Sequence, residues 1–275
     1  MAGFHVIAGG SVAPVRPQIR KIGLDDLRTA LARGVDDFKE MPSHLMFLSV
    51  IYVVIGVMLA ALTFSSNALP LLFPLASGFA LVGPFAAIGL YEISRRRELG
   101  LDATWRHAID VVRSPSIPSI VALGLMLMGL LVAWLLAAQA LYESLYGSMA
   151  PASLPAFLTE VFTTQRGWQL IVLGNLIGFV FAAVVLSISV VSFPLLLDRD
   201  VGLAVAVDTS VRAVLANPIP IAAWGLVVAA ALLAGSLPLF VGLAVVMPIL
   251  GHATWHLYRR LVLAEPDREH APRPE

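Results

Sequence analysis

Long apolar stretches separated by short charged segments dominate the sequence. A helix needs about 20 residues to cross roughly 30 Å of hydrocarbon. Six stretches are suited to this: 44–64, 70–92, 118–141, 168–192, 219–235 and 238–258. No charged residue lies near the middle of any of them. The pattern therefore predicts an all-α, polytopic membrane protein with about six transmembrane helices, the last two forming a tight hairpin.

A threefold repeat runs through the same pattern. Three Gly-Leu pairs each open a charged segment, and a proline follows each pair at a nearly constant distance. The three pairs and their prolines are Gly23-Leu24 with Pro42, Gly100-Leu101 with Pro118, and Gly202-Leu203 with Pro220. Proline cannot continue a helix, so it separates each segment from the apolar hairpin that follows. We interpret the chain as three parallel units, at about 20–92, 98–195 and 200–260.

Each opening segment is expected to form an amphipathic helix. In the first unit one helical face is apolar, and its residues are Leu24, Leu27, Leu31, Val35 and Phe38. The second unit offers Leu101, Trp105, Ala108, Ile109 and Val112. The middle unit also carries an insertion at about 142–167, in which apolar residues from Leu154 to Phe162 have helical spacing. We expect a short helix there on the outer leaflet.

Composition fits lipid contact and excludes several function classes. Of the 275 residues, 59% are hydrophobic and only 13% are charged, against roughly 25% charged residues in an average soluble domain. The formal net charge is zero, and no basic groove stands out, so we expect no nucleic-acid partner. The absence of cysteine excludes disulfides, iron–sulfur clusters and cysteine-ligated zinc.

The positions of lysine and arginine predict how the chain is oriented in the membrane. With six helices, every Lys and Arg except Arg166 falls on one side of the membrane, and the positive-inside rule makes that side cytoplasmic. Both termini are then cytoplasmic, with flexible tails at 1–19 and 263–275 around a transmembrane domain at 20–262. Because residues 1–20 lack the apolar core of a signal peptide, we expect the first membrane helix to act as the insertion signal.

The segments that open and close the first unit resemble a known family. They are residues 22–38 with the following Pro42, the Gly83-Pro84-Phe85 sequence, and residues 91–98, which read Tyr-Glu-Ile-Ser-Arg-Arg-Arg-Glu. Together with the order of helices over about 20–262, they are similar to bacterial proteins grouped as domain of unknown function 2189. The resemblance implies a six-helix protein of the bacterial inner membrane without an established activity. Some members are labelled as similar to subunit I of cytochrome c oxidase.

That label does not make this chain a catalytic oxidase subunit. Such a subunit needs six histidine ligands spread over several membrane helices, whereas this chain has 6 histidines in all. Only His252 and His256 lie in a later span, and their i, i+4 spacing puts both rings on one helix face. They are therefore the candidates for binding haem or metal. We interpret them instead as polar residues near a helix end, and we expect no metal site and no cofactor.

No catalytic residue is identified, because the chain has no P-loop, nucleophile elbow, HExxH motif or carboxylate pair. Arginines directly beyond two membrane helices are candidates for contact with anionic lipid headgroups. They are Arg95, Arg96, Arg97, Arg259 and Arg260.

Three functions are compatible with these residues. We expect a helical bundle without enzymatic activity that interacts with membrane lipids or with other inner-membrane proteins, and its oligomeric state is left open. The first alternative is a small transporter or channel, although the charged residue that ion-coupled carriers need at mid-membrane is missing. The second alternative is an accessory redox protein of the respiratory chain that holds haem or metal at His252 and His256.

Overall fold

The computed structural model describes residues 16–41, 56, 69–108, 110–148, 151, 153–238 and 241–263. In these residues the regular structure is helical, and they form no strand. The α-helices of this part of the chain are α1 Leu24–Glu40, α2 Leu72–Ala86, α3 Ile88–Glu98, α4 Ile117–Tyr146, α5 Leu154–Thr163, α6 Gln165–Ser189, α7 Ser192–Asp198, α8 Gly202–Ala216, α9 Pro218–Ser236 and α10 Leu243–Leu261. Short 3-10 helices cover Leu69–Leu71, Trp105–Ala108 and Asp110–Arg113. The predicted all-α class is confirmed.

Four helical segments among the described residues are long and apolar enough to cross a membrane. They are Phe73–Glu98, Ile117–Tyr146, Gln165–Asp198 and Pro218–Ser236. These segments coincide with the second to the fifth of the predicted spans. α10 is less apolar because its C-terminal half carries two histidines and two arginines. The first predicted span, 44–64, lies outside the described residues apart from residue 56.

Two of the membrane-length segments are interrupted beside a proline. α2 gives way to α3 near Pro84, and α6 gives way to α7 near Pro194. A proline has no amide hydrogen to donate to the preceding helical turn. At the second interruption the Val191 amide donates to the Ser210 hydroxyl of α8 at 3.2 Å. Both interruptions are therefore local breaks within continuous membrane-length segments.

Glycines let large aromatic side chains pack between the membrane helices. A Cβ atom at Gly124 would lie 2.6 Å from the Phe85 ring, which packs edge-on against Phe193 with 6.2 Å between ring centroids. Gly178 likewise makes room for Trp134. The core thus joins α2, α4, α6 and α7 around the two proline breaks.

α1 packs along α10 through a stripe that the sequence predicted only in part. Its buried residues are Leu27, Ala30, Gly34 and Asp37. Leu24, which we placed on the apolar face, is exposed. A Cβ atom at Gly34 would lie 2.6 Å from the backbone nitrogen of Ala253. The buried face is therefore selected by small residues that allow close approach, and not by the largest apolar side chains.

The second opening segment is not the amphipathic α-helix that we predicted. It forms two 3-10 helices, and two residues of its predicted apolar face, Leu101 and Val112, are exposed. The amide and hydroxyl of Thr104 both contact His107 Nδ1, at 3.1 and 3.0 Å, and such local side-chain bonds compete with helix formation. By contrast, α8 confirms the helix expected in the third unit, and α5 confirms the short helix expected in the insertion.

Candidate functional site at the charged end of the bundle

Polar residues of α1, α3, α7 and α10 meet at one end of the bundle, which we term the charged end. It comprises Asp26, Asp37, Glu40, Glu92, Ser94, Arg95, Arg96, Arg97, Glu98, Asp198, His252, His256, Tyr258, Arg259 and Arg260. Arginines occupy the last turns of α3 and α10, where a positive charge stabilises the C-terminal end of a helix dipole. These arginines therefore stabilise the ends of α3 and α10 at which the polar residues meet.

Asp37 of α1 is the centre of a buried polar network. Its Oδ2 atom accepts hydrogen bonds from the Ser94 hydroxyl at 2.6 Å and from His256 Nε2 at 2.9 Å. Its Oδ1 atom accepts a hydrogen bond from Arg97, whose other terminal nitrogen lies 2.7 Å from Glu40. One carboxylate therefore connects α1 to both α3 and α10.

Hydrogen positions in this network follow from the donor count. Ser94 has one hydroxyl hydrogen, and Asp37 receives it. The 2.6 Å contact between the Ser94 oxygen and His252 Nδ1 must then be donated by the imidazole. A nucleophilic serine requires the opposite arrangement, in which imidazole accepts the hydroxyl proton. Since Ser94 is also fully buried, these three residues fasten helices and do not form a hydrolytic triad.

Asp37 is held in its ionised form. Burial alone would raise the pKa of a carboxyl group. Hydrogen bonds from His256 and Ser94, together with the charges of His256 and His252, outweigh burial and lower the pKa of Asp37 below its ordinary value. The charge-assisted bond from Arg97 favours the same anionic form. At neutral pH the network is therefore built around a buried anion.

The second nitrogen of each imidazole has no such partner. His252 Nε2 and His256 Nδ1 are buried and make no hydrogen bond within the described part of the chain. When the rings are neutral, these nitrogens carry free lone pairs. Metal-binding histidines are commonly oriented in this way by an acceptor on their other nitrogen. Across the described ranges, however, no three His, Cys, Asp or Glu side chains are arranged to hold a metal ion.

A second network joins the ends of α3, α7 and α10. Glu98 of α3 accepts hydrogen bonds from Trp255 Nε1 and Arg259 Nε, each at 3.0 Å. Arg259 also lies 3.6 Å from Asp198 of α7, and Asp198 accepts a 2.6 Å hydrogen bond from the Tyr258 hydroxyl. These contacts cross all three helices and fix their relative positions.

The five arginines proposed as headgroup contacts all lie at the charged end, and each faces a carboxylate. The pairs are Arg95 and Arg96 with Glu92, Arg97 with Asp37 and Glu40, Arg259 with Glu98 and Asp198, and Arg260 with Asp26. Their side chains keep between 21% and 30% of their surface exposed. Arg97, Arg259 and Arg260 therefore link helices, whereas the pairs of Arg95 and Arg96 lie within α3. All five arginines remain accessible, and their contact with lipid stays a prediction.

A cavity of about 270 Å³ with charged residues in its walls opens beside the second network. Its charged walls come from α3 with Glu92 and Arg95, from α7 with Asp198, and from the α3–α4 connection with Asp110 and Arg113. The remaining lining residues are Val111, Ser114, Pro115, Ser116, Leu197, Arg199 and Asp200. Three membrane-length helices begin or end at these walls. A membrane around the bundle would therefore place its headgroup layer at the cavity.

Sequence reasoning found the two histidines but not their partners. Glu92, which lies eight residues after Pro84 as His256 lies eight residues after Pro248, pairs with Arg95. The actual partner, Asp37, is distant in sequence, and only the helical spacing of Ala30, Gly34 and Asp37 on α1 hinted at its burial. Ser94 carried no signal of its own, because a lone serine after a membrane helix is common.

The fold and its surface define the class of this protein. Large apolar side chains are exposed along α4, α6 and α9, and four segments are long enough to span a bilayer, as in an integral membrane protein. Residues 71–198 match the model of the family described as predicted integral membrane protein, DUF2189. The match confirms the resemblance and covers α2 to α7. No curated protein and no solved structure matches the chain.

Proposed function

We propose that this protein is a six-helix bundle of the bacterial inner membrane that acts by interaction with lipids or membrane proteins. It needs neither a catalytic group nor a resident cofactor for this role. The observation that carries the proposal is the exposure of large apolar side chains along α4, α6 and α9 beside the charged end. The ionisable side chains of the charged end pair with one another across four helices, and the buried serine and histidine hold Asp37 instead of facing an open site.

Two observations support six crossings. α9 and α10 run antiparallel from a close contact between Gly235 and Gly242, and α10 returns to the charged end, so it covers the length of α9. The described residues on either side of 42–68 lie at opposite ends of the α2–α3 segment. Glu40 contacts Arg97 at the C-terminal end of the α2–α3 segment, whereas the 3-10 helix Leu69–Leu71 precedes α2 at the N-terminal end of that segment.

The positions of the chain segments near the termini support a common side for both. Residues 18–20 run beside residues 261–263, with Arg20 N donating to Leu261 O at 2.8 Å and Leu263 N donating to Gln18 O at 3.1 Å. The excess of Lys and Arg on that side favours the cytoplasm. Arg166, the arginine on the opposite side, lies at the start of α6.

The convergence of α3, α7 and α10 supports the threefold repeat. In each proposed unit one of these helices is the last, and parallel units around a membrane-normal axis bring equivalent ends together. Glu98, Asp198 and Arg259 meet in this manner. Gly100 and Gly202, which follow α3 and α7, both have a positive φ, at 67° and 76°, a conformation that favours glycine, whereas Gly23 has a φ of −110°.

Native mass spectrometry in mild detergent tests the proposed role. We expect the 29.3 kDa chain, or a multiple of it, to retain phospholipid after the detergent micelle is removed. A matched preparation of an unrelated six-helix protein measures non-specific retention. Release of the chain without lipid above that background, together with the absence of any co-purifying protein, would contradict the proposal.

A metal-binding protein is the second candidate. It is favoured by the buried second nitrogens of His252 and His256, which carry lone pairs when the rings are neutral and are each oriented through the opposite ring nitrogen. Titration of purified protein with Co²⁺ tests it, because ligation by imidazole changes the visible spectrum of that ion. Binding that disappears in the His252→Ala and His256→Ala double variant would establish it. Equal spectra of the unaltered protein and the double variant would rule out metal binding by these histidines.

A further inference from the structure

The cavity at the charged end has a mixed-charge lining that restricts its ligand. Four carboxylates line it, from Glu92, Asp110, Asp198 and Asp200, against three guanidinium groups, from Arg95, Arg113 and Arg199. Positive and negative side chains occur on every wall of the cavity, because each wall contributes one acid–arginine pair. The pairs are Glu92–Arg95 from α3, Asp110–Arg113 from the α3–α4 connection and Asp198–Arg199 from the end of α7. A ligand with one positive and one negative group matches this lining better than an anion does, since carboxylates outnumber arginines.

The size and depth of the cavity point to a lipid headgroup. Its volume of about 270 Å³ lies slightly below the range of roughly 300–1,000 Å³ found for sites that enclose whole small molecules. It is thus suited to a headgroup and too small for an entire lipid. Ser116 at its wall directly precedes the apolar helix α4, so acyl chains attached to a bound headgroup would run along lipid-facing helices.

We propose that this cavity binds the headgroup of phosphatidylethanolamine, an inference that rests on the lipid interaction proposed above. The phosphate lies between Arg95 and Arg113, where charge-assisted bonds are strong. The primary ammonium group lies between Asp110 and Asp200 and donates hydrogen bonds to their carboxylates. A quaternary choline headgroup has no hydrogen to donate, and a glycerol headgroup has no positive charge. Both lipids are therefore expected to bind less tightly.

Asp110 and Arg113 are the most informative positions to change. They form a pair at 3.2 Å on the cavity rim, and the Arg113 side chain is 86% exposed, so their substitution leaves the helix contacts intact. Asp25 and Arg28 provide a matched control. They form an i, i+3 pair at 3.3 Å with an Arg28 side chain that is 85% exposed, but they lie on α1 away from the cavity lining.

The experiment compares lipid retention by native mass spectrometry from nanodiscs of equal parts phosphatidylethanolamine, phosphatidylcholine and phosphatidylglycerol. We expect the unaltered protein to prefer phosphatidylethanolamine. Asp110→Asn is expected to lower that preference about threefold to tenfold, and Arg113→Gln to lower retention of phosphatidylethanolamine to a similar degree, as for the net loss of one ordinary hydrogen bond at a solvent-accessible position. Asp25→Asn and Arg28→Gln are expected to change neither.

Two outcomes would overturn this inference while leaving the proposed function intact. The first is lipid retention without a preference for phosphatidylethanolamine, or a preference that the Asp110 and Arg113 variants leave unchanged. The second is displacement of the bound lipid by soluble phosphoethanolamine as effectively as by the lipid, which would assign the cavity to a soluble ligand. A failure to retain any lipid would also overturn the inference, and it would contradict the proposed function only if no membrane protein co-purified.

Discussion

Asp37 is the residue on which the contacts of α1 with its neighbours converge. A buried carboxylate is costly unless donors surround it, and here Ser94, His256 and Arg97 supply them. Removing the carboxylate leaves three donors without their acceptor. The residue is therefore more important to the assembly than its place on a largely exposed helix suggests.

The Asp37→Ala variant is expected to unfold at a lower temperature than the unaltered protein, with a loss of about 3 kcal/mol in the free energy of unfolding. Thermal unfolding in detergent, followed by intrinsic fluorescence, measures it. The neighbouring Asp36→Ala variant is the control, because Asp36 is exposed. Equal losses in the two variants would show that the network does not stabilise the fold.

Acidification is expected to remove the contribution of Asp37. Its pKa in the folded protein lies below the ordinary value of 3.8, so the unfolded chain takes up the proton first. The stabilisation is complete above the ordinary pKa and is lost as the pH falls through the folded pKa. The difference in unfolding temperature between unaltered protein and Asp37→Asn should shrink below about pH 4. A difference that grew on acidification would have the wrong sign.

At the scale of single residues, the sequence predicted identities better than partners. His252 and His256 were identified from their spacing on one helix, which is a local property. Their interpretation as ordinary residues near a helix end missed their burial, because that depends on α1 packing against α10. The contact between Asp37 and His256 joins positions 219 apart in sequence. The spacing of residues along one helix cannot predict a contact at such a separation.

At the scale of helices, the close packing of α1 on α10 depends on Gly34. A methyl group there would lie within 2.8 Å of backbone atoms of Ala253 and Ile249, which cannot rotate away. Gly34→Ala is therefore expected to destabilise the docking of α1 by about 1–3 kcal/mol, the usual cost of overpacking. The measurement is thermal unfolding in detergent.

Gly129→Ala is the matched control for this variant, because nothing lies within 4 Å of the added Cβ atom in the middle of α4. Alanine also has the higher helix propensity, so this protein should be at least as stable as the unaltered one. If Gly34→Ala were as stable as Gly129→Ala, the close approach of α1 and α10 would be wrong.

Helices were predictable where a long apolar run set them and less so where the signal was short. The runs that became α4, α6 and α9 were found almost to their ends, since burial of apolar side chains in lipid leaves the backbone no alternative to a helix. The segment after Gly100 was predicted as an α-helix by analogy with the first unit. Its local bonds between Thr104 and His107 gave 3-10 turns instead.

At the scale of the whole molecule, the pairing of charges at one end and the apolar flanks describe a bundle inserted in a membrane. The class was predictable because it follows from composition. The count of crossings depends on the first predicted span and on α10, and the repeat depends on the equivalence of three helix ends. The assignment of the charged end to the cytoplasmic side follows from the distribution of Lys and Arg, which reflects insertion into the cell membrane and not the packing of the helices.

Labelling of single cysteines with a membrane-impermeant maleimide on spheroplasts tests the arrangement most directly, and the chain offers no cysteine background. Six crossings predict labelling of Ser66→Cys, Ser153→Cys and Leu237→Cys in intact spheroplasts, and labelling of Arg28→Cys, Asp102→Cys and Leu263→Cys only after permeabilisation. Labelling of Arg28→Cys and Leu263→Cys from opposite sides, or of Ser66→Cys from the inside, would contradict six crossings with a single cytoplasmic charged end.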